Sequence, residues 1–99
     1  MVRQDIEQAV YSLLAEYNGR SLLTFRRYPL KHSTDLNKDF RMDPLDAYEL
    51  LEKYSERFGI DPKSISFQRY FPDDFSEPHK PLTVQLLIDS AEVGCWLDN

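Results

Sequence analysis

Ninety-nine residues with 41% hydrophobic content can close one core but not two, so the chain reads as a single domain over 1–99. The formal net charge of −5 argues against nucleic acid as the main partner, because phosphate binding runs on lysine and arginine releasing counterions. A single cysteine, Cys95, excludes an internal disulfide, a CxxC pair and a thiolate-rich zinc site, and fits a reducing compartment.

Behind Met1-Val2-Arg3-Gln4-Asp5 there is no apolar stretch of signal-peptide type, and no later run is long enough to span a bilayer. This predicts a cytoplasmic protein with no membrane partner. In the first segment Val2, Ile6, Ala9, Val10, Leu13, Leu14 and Tyr17 recur at three- and four-residue steps, which gathers them on one side of a helix at about 100° per residue. Asn18-Gly19 supplies its stop.

From Arg20 to Arg41 the basic residues Arg20, Arg26, Arg27, Lys31, Lys38 and Arg41 face only Asp35 and Asp39, while the rest of the chain is mainly acidic. This is a long basic loop. Its arginines read first as solvated or paired with nearby carboxylates, and second as contacts for phosphate or an acidic protein. Leu22, Leu23, Phe25 and Tyr28 within it read as either a strand or a buried loop, which leaves room for a minor β element.

Asp43-Pro44-Leu45-Asp46 is the clearest helix start: Asp43 caps, Pro44 suits the first helical position, and Asp46 places negative charge in the first turn. The helix is expected to run to Phe58, with Gly59 as its end. Ala47, Leu50, Leu51, Tyr54 and Phe58 fall in one sector, and Asp46, Glu49, Glu52 and Glu56 in the opposite one. Ser66 to Pro72 is short and aromatic, and reads as a helical turn or a short extended stretch that plugs the core with Phe67, Tyr70, Phe71 and, further on, Phe75. A last helix starts at Thr83, carries Val84, Leu87, Ile88 and Ala91 on one face and ends at Gly94. Trp96 and Leu97 are expected to fold back as a lid.

The stretch Asp35-Leu36, Asp43-Pro44-Leu45-Asp46 and Tyr48-Glu49-Leu50-Leu51 through Phe58-Gly59-Ile60 resembles the region around the prosthetic-group site of acyl carrier proteins, and Thr83-Val84-Gln85 with Leu87-Ile88-Asp89 resembles their last helix. The matches span Asp35 to about Ala91. The whole chain, with Tyr70-Phe71-Pro72 and the Gly94-Cys95-Trp96 ending, is similar to a bacterial family of carrier-protein-like domains catalogued as having unknown function. The resemblance implies a mainly α fold, an acyl carrier protein-like helical bundle with a long first loop. It also implies that the helix from Pro44 to Phe58 is a surface read by basic patches on partner proteins.

One departure decides the functional expectation. The carrier motif uses a serine hydroxyl to accept phosphopantetheine, and Pro44, at the aligned position, has none to phosphorylate. Ser33 lies well ahead of the motif and Ser55 well inside the helix, near the edge of its core face. The expectation is a protein with no phosphopantetheine and no other cofactor: a non-catalytic interaction or regulatory module. Its partner would be a protein with a basic patch, bound through Leu45, Asp46, Tyr48, Glu49, Glu52 and Glu56. The acidic face read alone is a solvated surface, but Leu45 projects among the acids and Tyr48 flanks them, as a binding patch requires. Because Glu49 and Glu52 point away from the core sector, replacing both is expected to leave stability nearly unchanged. The alternative is an atypical carrier, modified at another serine or working with a second carrier protein in fatty-acid or related acyl metabolism. A further reading places a small ligand between the helices.

Other chemistry finds no set of residues. His32 and His79 lie far apart, each without a His or Cys at ligand spacing, and read as surface residues rather than metal ligands or bases. Cys95, beside Trp96 in an apolar ending, reads as a structural thiol, with no basic neighbour to lower its pKa. No Ser-His-Asp set, glycine-rich phosphate loop or nucleophile elbow is present, so no enzyme activity is expected.

Overall fold

A computed structural model describes residues 3–18, 29–74 and 77–98. Its elements are α1 (Arg3–Ala15), α2 (Pro44–Phe58), a 3₁₀ turn (Pro62–Ser64), α3 (Phe67–Tyr70) and α4 (Val84–Val93). The fold is mainly α. Among the described residues the extended pairing is limited to one isolated antiparallel bridge, Asp35 to Thr83. No helix among them is long and apolar enough to cross a membrane. Val2, Gly19, the basic residues Arg20, Arg26 and Arg27, the β candidates Leu22, Leu23, Phe25 and Tyr28, and Phe75 lie outside the described residues.

Local signals place the two best-defined helices. Asp43 sits in extended backbone and its Oδ1 accepts from Leu45 N at 2.8 Å, which satisfies one of the orphan donors of the first turn. Pro44 occupies the first turn, where its missing N–H costs nothing. At the other end Gly59 takes a left-handed conformation (φ 67°) and returns its N–H to Ser55 O. In α4 the Thr83 Oγ1 accepts from Leu86 N at 3.1 Å, and Gly94 (φ 79°) closes the helix on Ser90 O. The short segment after the 3₁₀ turn resolves as the helical turn α3, with Phe71 N–H bonding to Phe67 O.

The apolar stripes then meet. α1 buries Ile6, Ala9, Val10, Leu13 and Leu14 against α4 and α2, and Tyr17 is buried just beyond its end. α2 contributes Ala47, Leu50, Leu51 and Tyr54; α4 contributes Val84, Leu87, Ile88 and Ala91. Each leucine or isoleucine removed from water in this way contributes about 1.5–3 kcal/mol. Phe58, at the end of the α2 stripe, is only half-buried. The Tyr54 hydroxyl crosses the core to donate to Leu87 O at 2.6 Å, and burial pushes its phenol far above the ordinary range.

The connection before α2 is fastened by a carboxylate. Asp35 is buried, and its Oδ1 accepts from Asn37 N at 2.9 Å and from Leu82 N at 3.3 Å, while Oδ2 faces His79 Nε2 at 3.2 Å. Leu36 N–H to Leu82 O (2.9 Å), Val84 N–H to Thr34 O (3.2 Å) and Gln85 N–H to His32 O (2.9 Å) continue the seam. Fully buried Leu36 is thereby pinned under the start of α4. His79 is therefore not the surface residue its sequence context suggests: it is half-buried as the partner of Asp35, whereas His32 is exposed.

The C-terminal segment corrects two further expectations. Trp96 folds back and is buried, its ring meeting Tyr54 and Tyr70 edge-on and its Nε1–H donating to the Tyr70 hydroxyl at 3.2 Å. Leu97 does not join it. Its side chain is exposed, and what docks is its backbone N–H, on Ser90 Oγ at 3.1 Å. Asp98 completes the closure, accepting from the Tyr70 hydroxyl and from Lys80 Nζ. The Tyr70 hydroxyl holds the Asp98 carboxyl below its ordinary range, with Lys80 acting in the same direction against partial burial. Cys95 is exposed rather than structural: with Gly94 turning the chain and Trp96 taking the inward position, the residue between them faces solvent.

Candidate functional site

The outer side of α2 presents two apolar side chains that the core does not use. Leu45 is 82% exposed and Tyr48 is 54% exposed. Around them the acids divide into two kinds. Glu49 is engaged: it accepts from the Tyr17 hydroxyl at 2.7 Å and pairs with Lys53 at 3.4 Å, and Lys53 in turn reaches Glu16 at 3.2 Å. Burial first, and the Glu49 bond second, raise the Tyr17 phenol above its ordinary value. Lys53, held chiefly by Glu16, is pushed up to about 12. Asp46 is half-buried and takes part in interactions within the molecule. Glu52 and Glu56 are exposed and carry no ion pair among the described residues.

The six sequence-predicted binding residues therefore share one side of the helix without being equivalent. Leu45, Tyr48, Glu52 and Glu56 are open surface. Glu49 ties α2 to the end of α1 through the Tyr17 hydroxyl, a contact that the expectation of nearly unchanged stability on its replacement does not include. The physical reason is non-local: a helical wheel gives the angle of Glu49 but not the arrival of Tyr17 beside it.

Beside Tyr48 the surface dips into a groove of about 70 Å³, partly open to solvent, between α2 and the segment holding the 3₁₀ turn and α3. Leu51, Pro62 and Ile65 give it apolar walls, the Tyr48 and Phe67 rings flank it, and Glu52 and Ser55 complete the lining. Phe67 is half-buried rather than core; it meets Tyr48 edge-on at 5.5 Å and stacks on Phe71 at 5.2 Å. Ser55 is buried, and its Oγ has no hydrogen-bond partner among the described residues. Position 55 in the sequence marks the edge of the core face, but the missing partner is visible only once the groove has formed.

At the N-terminal end of α2, a broader hollow of about 410 Å³ is lined by Asn37, Lys38, Arg41, Met42, Asp43 and Pro44. Lys31, Lys38 and Arg41, the described members of the basic stretch, are all exposed. Arg41 has a left-handed backbone (φ 53°), uncommon for a residue with a side chain. The first turn itself is taken by Asp43, whose carboxylate caps it, and Pro44 presents no hydroxyl there. No group of three or more His, Cys, Asp or Glu among the described residues is arranged to hold a metal ion.

These observations define a small, mainly helical protein whose second helix leaves apolar and acidic groups on its outer side. The chain belongs to the family described as "protein of unknown function (DUF1493)", whose model matches residues 3–99. No curated protein and no solved structure matches it.

Proposed function

We propose that this protein is a non-catalytic, acyl carrier protein-like interaction module of the bacterial cytosol, which binds a basic surface on a protein partner through the outer side of α2 without a covalent cofactor. The observation that carries this reading is the exposure of Leu45 and Tyr48 beside Glu52 and Glu56, two acids with no ion pair among the described residues. Apolar anchors within a charged rim supply the desolvated centre and polar edge of a protein interface. Exposed carboxylates add attraction at a distance and register on contact. Pro44 in the place of the carrier serine supports binding without covalent loading. The next helix serine, Ser55, is buried and does not offer an accessible hydroxyl.

The test is affinity capture from native lysate with wild-type protein and with Glu52→Lys/Glu56→Lys, at low and at high salt. Charge reversal is expected to abolish capture while leaving the melting curve unchanged, because like charges meeting across an interface cost several kcal/mol and surface changes cost little folding stability. Capture that survives both the reversal and about 1 M salt, where the Debye length is about 3 Å, would make this side of α2 a solvated surface only. Intact mass after exposure to a broad-specificity phosphopantetheinyl transferase separates the rival class. A stoichiometric adduct would replace this reading with that of an atypical carrier.

A further inference from the structure

The exposed stripe along α2 carries charge of both signs, one at each end. Lys38 and Arg41, just ahead of the helix, are exposed and have no ion pair among the described residues. Glu52 and Glu56, in the second half of the helix, are exposed and have none either. Asp39 and Asp43 lie beside the two cations, but their carboxylates accept from Asp35 N at 2.9 Å and from Leu45 N at 2.8 Å. Between the charged ends stand Leu45 and Tyr48, the large apolar side chains that this helix leaves exposed. A stripe that is positive at one end, apolar in the middle and negative at the other is complementary to itself reversed. We infer that the basic surface bound by the outer side of α2 belongs to a second copy of this chain, the two helices lying antiparallel about a two-fold axis. The inference rests on the proposed reading of this side of α2 as a docking surface, and it names the partner.

The spacing along the chain sets the register. Leu45 and Glu52 are two turns apart, so they share a side of the helix at about 10.5 Å along its axis. A two-fold axis crossing midway, at the level of Tyr48, sets Leu45 of each copy alongside Glu52 of the other and brings the two Tyr48 side chains together at the centre. Arg41 stands four residues before Leu45, and Glu56 four residues after Glu52. The same operation therefore faces Arg41 of each copy with Glu56 of the other, and Lys38 adds positive charge at the same end. Leu45 and Tyr48 form the apolar centre and the ion pairs form the rim. Glu49, next to the axis, already pairs with Lys53 at 3.4 Å, so its charge at the centre is partly offset. A parallel arrangement would set Arg41 against Arg41 and Glu56 against Glu56, which repels at both ends. Two-fold closure uses each stripe once and stops at two copies. The 15 residues of α2 span about 22 Å, so the contact falls short of the roughly 1,200–2,000 Å² of a stable complex, and the pair forms reversibly.

Sedimentation equilibrium of the full chain at low salt, from about 10 μM to about 1 mM, covers the range in which so small a contact associates. A monomer–dimer equilibrium is expected, weakening as salt rises toward about 1 M. Arg41→Glu and Glu56→Arg, each of which places like charges together at both ends of the pair, should each raise the dissociation constant about tenfold or more. An equal mixture of the two variants restores opposite charges at both ends, and should dimerise to within about threefold of wild type. Circular dichroism melts confirm that each variant is folded; if Arg41→Glu is not, Lys38→Glu takes its place. A chain that stays monomeric throughout overturns the inference. So does a dimer indifferent to the single reversals, which would form through another surface, and so does a mixture that fails to recover. Capture from lysate separates this failure from that of the underlying reading. If the chain is monomeric but Glu52→Lys/Glu56→Lys still abolishes capture, the second copy is the wrong partner and the acidic surface stands. If capture is indifferent as well, both fall together.

Discussion

The two sides of α2 use the same residue type to opposite effect. On the inner side Leu50 is 1% exposed and Leu51 6% exposed; on the outer side Leu45 is 82% exposed. Tyrosine repeats the contrast, with Tyr54 buried and donating to Leu87 O while Tyr48 stands at the rim of the groove. Angle around the helix, not hydrophobicity, assigns each leucine its place: those that meet α1 and α4 hold the fold, and the one on the outer side is left largely to solvent. An apolar residue that stability does not require is thus more informative about function than one that is buried.

The sharpest way to break this comparison is to truncate a leucine on each side. Leu50→Ala is expected to cost about 2–5 kcal/mol, the lost transfer energy plus the cavity left in the core. Leu45→Ala should stay within about 0.5 kcal/mol. Urea denaturation followed by circular dichroism measures both, and equal losses would mean that Leu45 is covered in solution.

At the border between the sides, Ser55 supplies a second and smaller test. Its unpaired Oγ carries a desolvation cost of about 1–3 kcal/mol. Ser55→Ala removes that cost together with a few dispersion contacts, so the net expectation is a stabilisation of about 1 kcal/mol, read as a higher urea midpoint at unchanged slope. Destabilisation would reveal a bound water already satisfying the hydroxyl.

What was legible in the sequence follows the same division. Asp43, Pro44 and Gly59 fix the limits of α2 because a cap, a proline and a left-handed glycine act on their immediate neighbours. Thr83 and Gly94 do the same for α4, and three- and four-residue spacing gives the buried stripes. Contacts that bring distant residues together left no such trace. Nothing in Thr34-Asp35-Leu36 announces that the Asp35 carboxylate accepts from Leu82 N, or that His79 stands beside it, although an aspartate in a loop is itself a signal for the Asx turn it makes to Asn37 N. Leu97 and Cys95 were misjudged for a related reason. Apolar character suggested burial, but the turn at Gly94 leaves one inward place, and Trp96 fills it. On the candidate site, the exposed Leu45 and Tyr48 were readable as helical angles, whereas the groove needs α3 in position and Glu49 needs Tyr17.

Glu49 and Glu52 give the finest test, because they lie on the same side of one helix and differ only in what reaches them. Glu49 receives the hydroxyl of a buried tyrosine at 2.7 Å; Glu52 has no ion pair among the described residues. A hydrogen bond to a charged acceptor contributes about 1.5–3 kcal/mol when well shielded, and this one is only part-buried, so Glu49→Ala is expected to cost about 1 kcal/mol. The Lys53 pair adds little to that sum, since an exposed ion pair contributes about 0–1 kcal/mol and Lys53 keeps Glu16. Glu52→Ala should change stability by less than about 0.5 kcal/mol. A double-mutant cycle isolates the difference: Tyr17→Phe combined with Glu49→Ala should lose less than the sum of the two single changes, by roughly 0.5–1 kcal/mol, whereas Tyr17→Phe with Glu52→Ala should be additive. Additivity in both cycles would mean that Tyr17 does not hold Glu49 in solution. Glu49 would then be held by Lys53 alone, and the charge-reversal test of binding could be extended to it at little cost in folding.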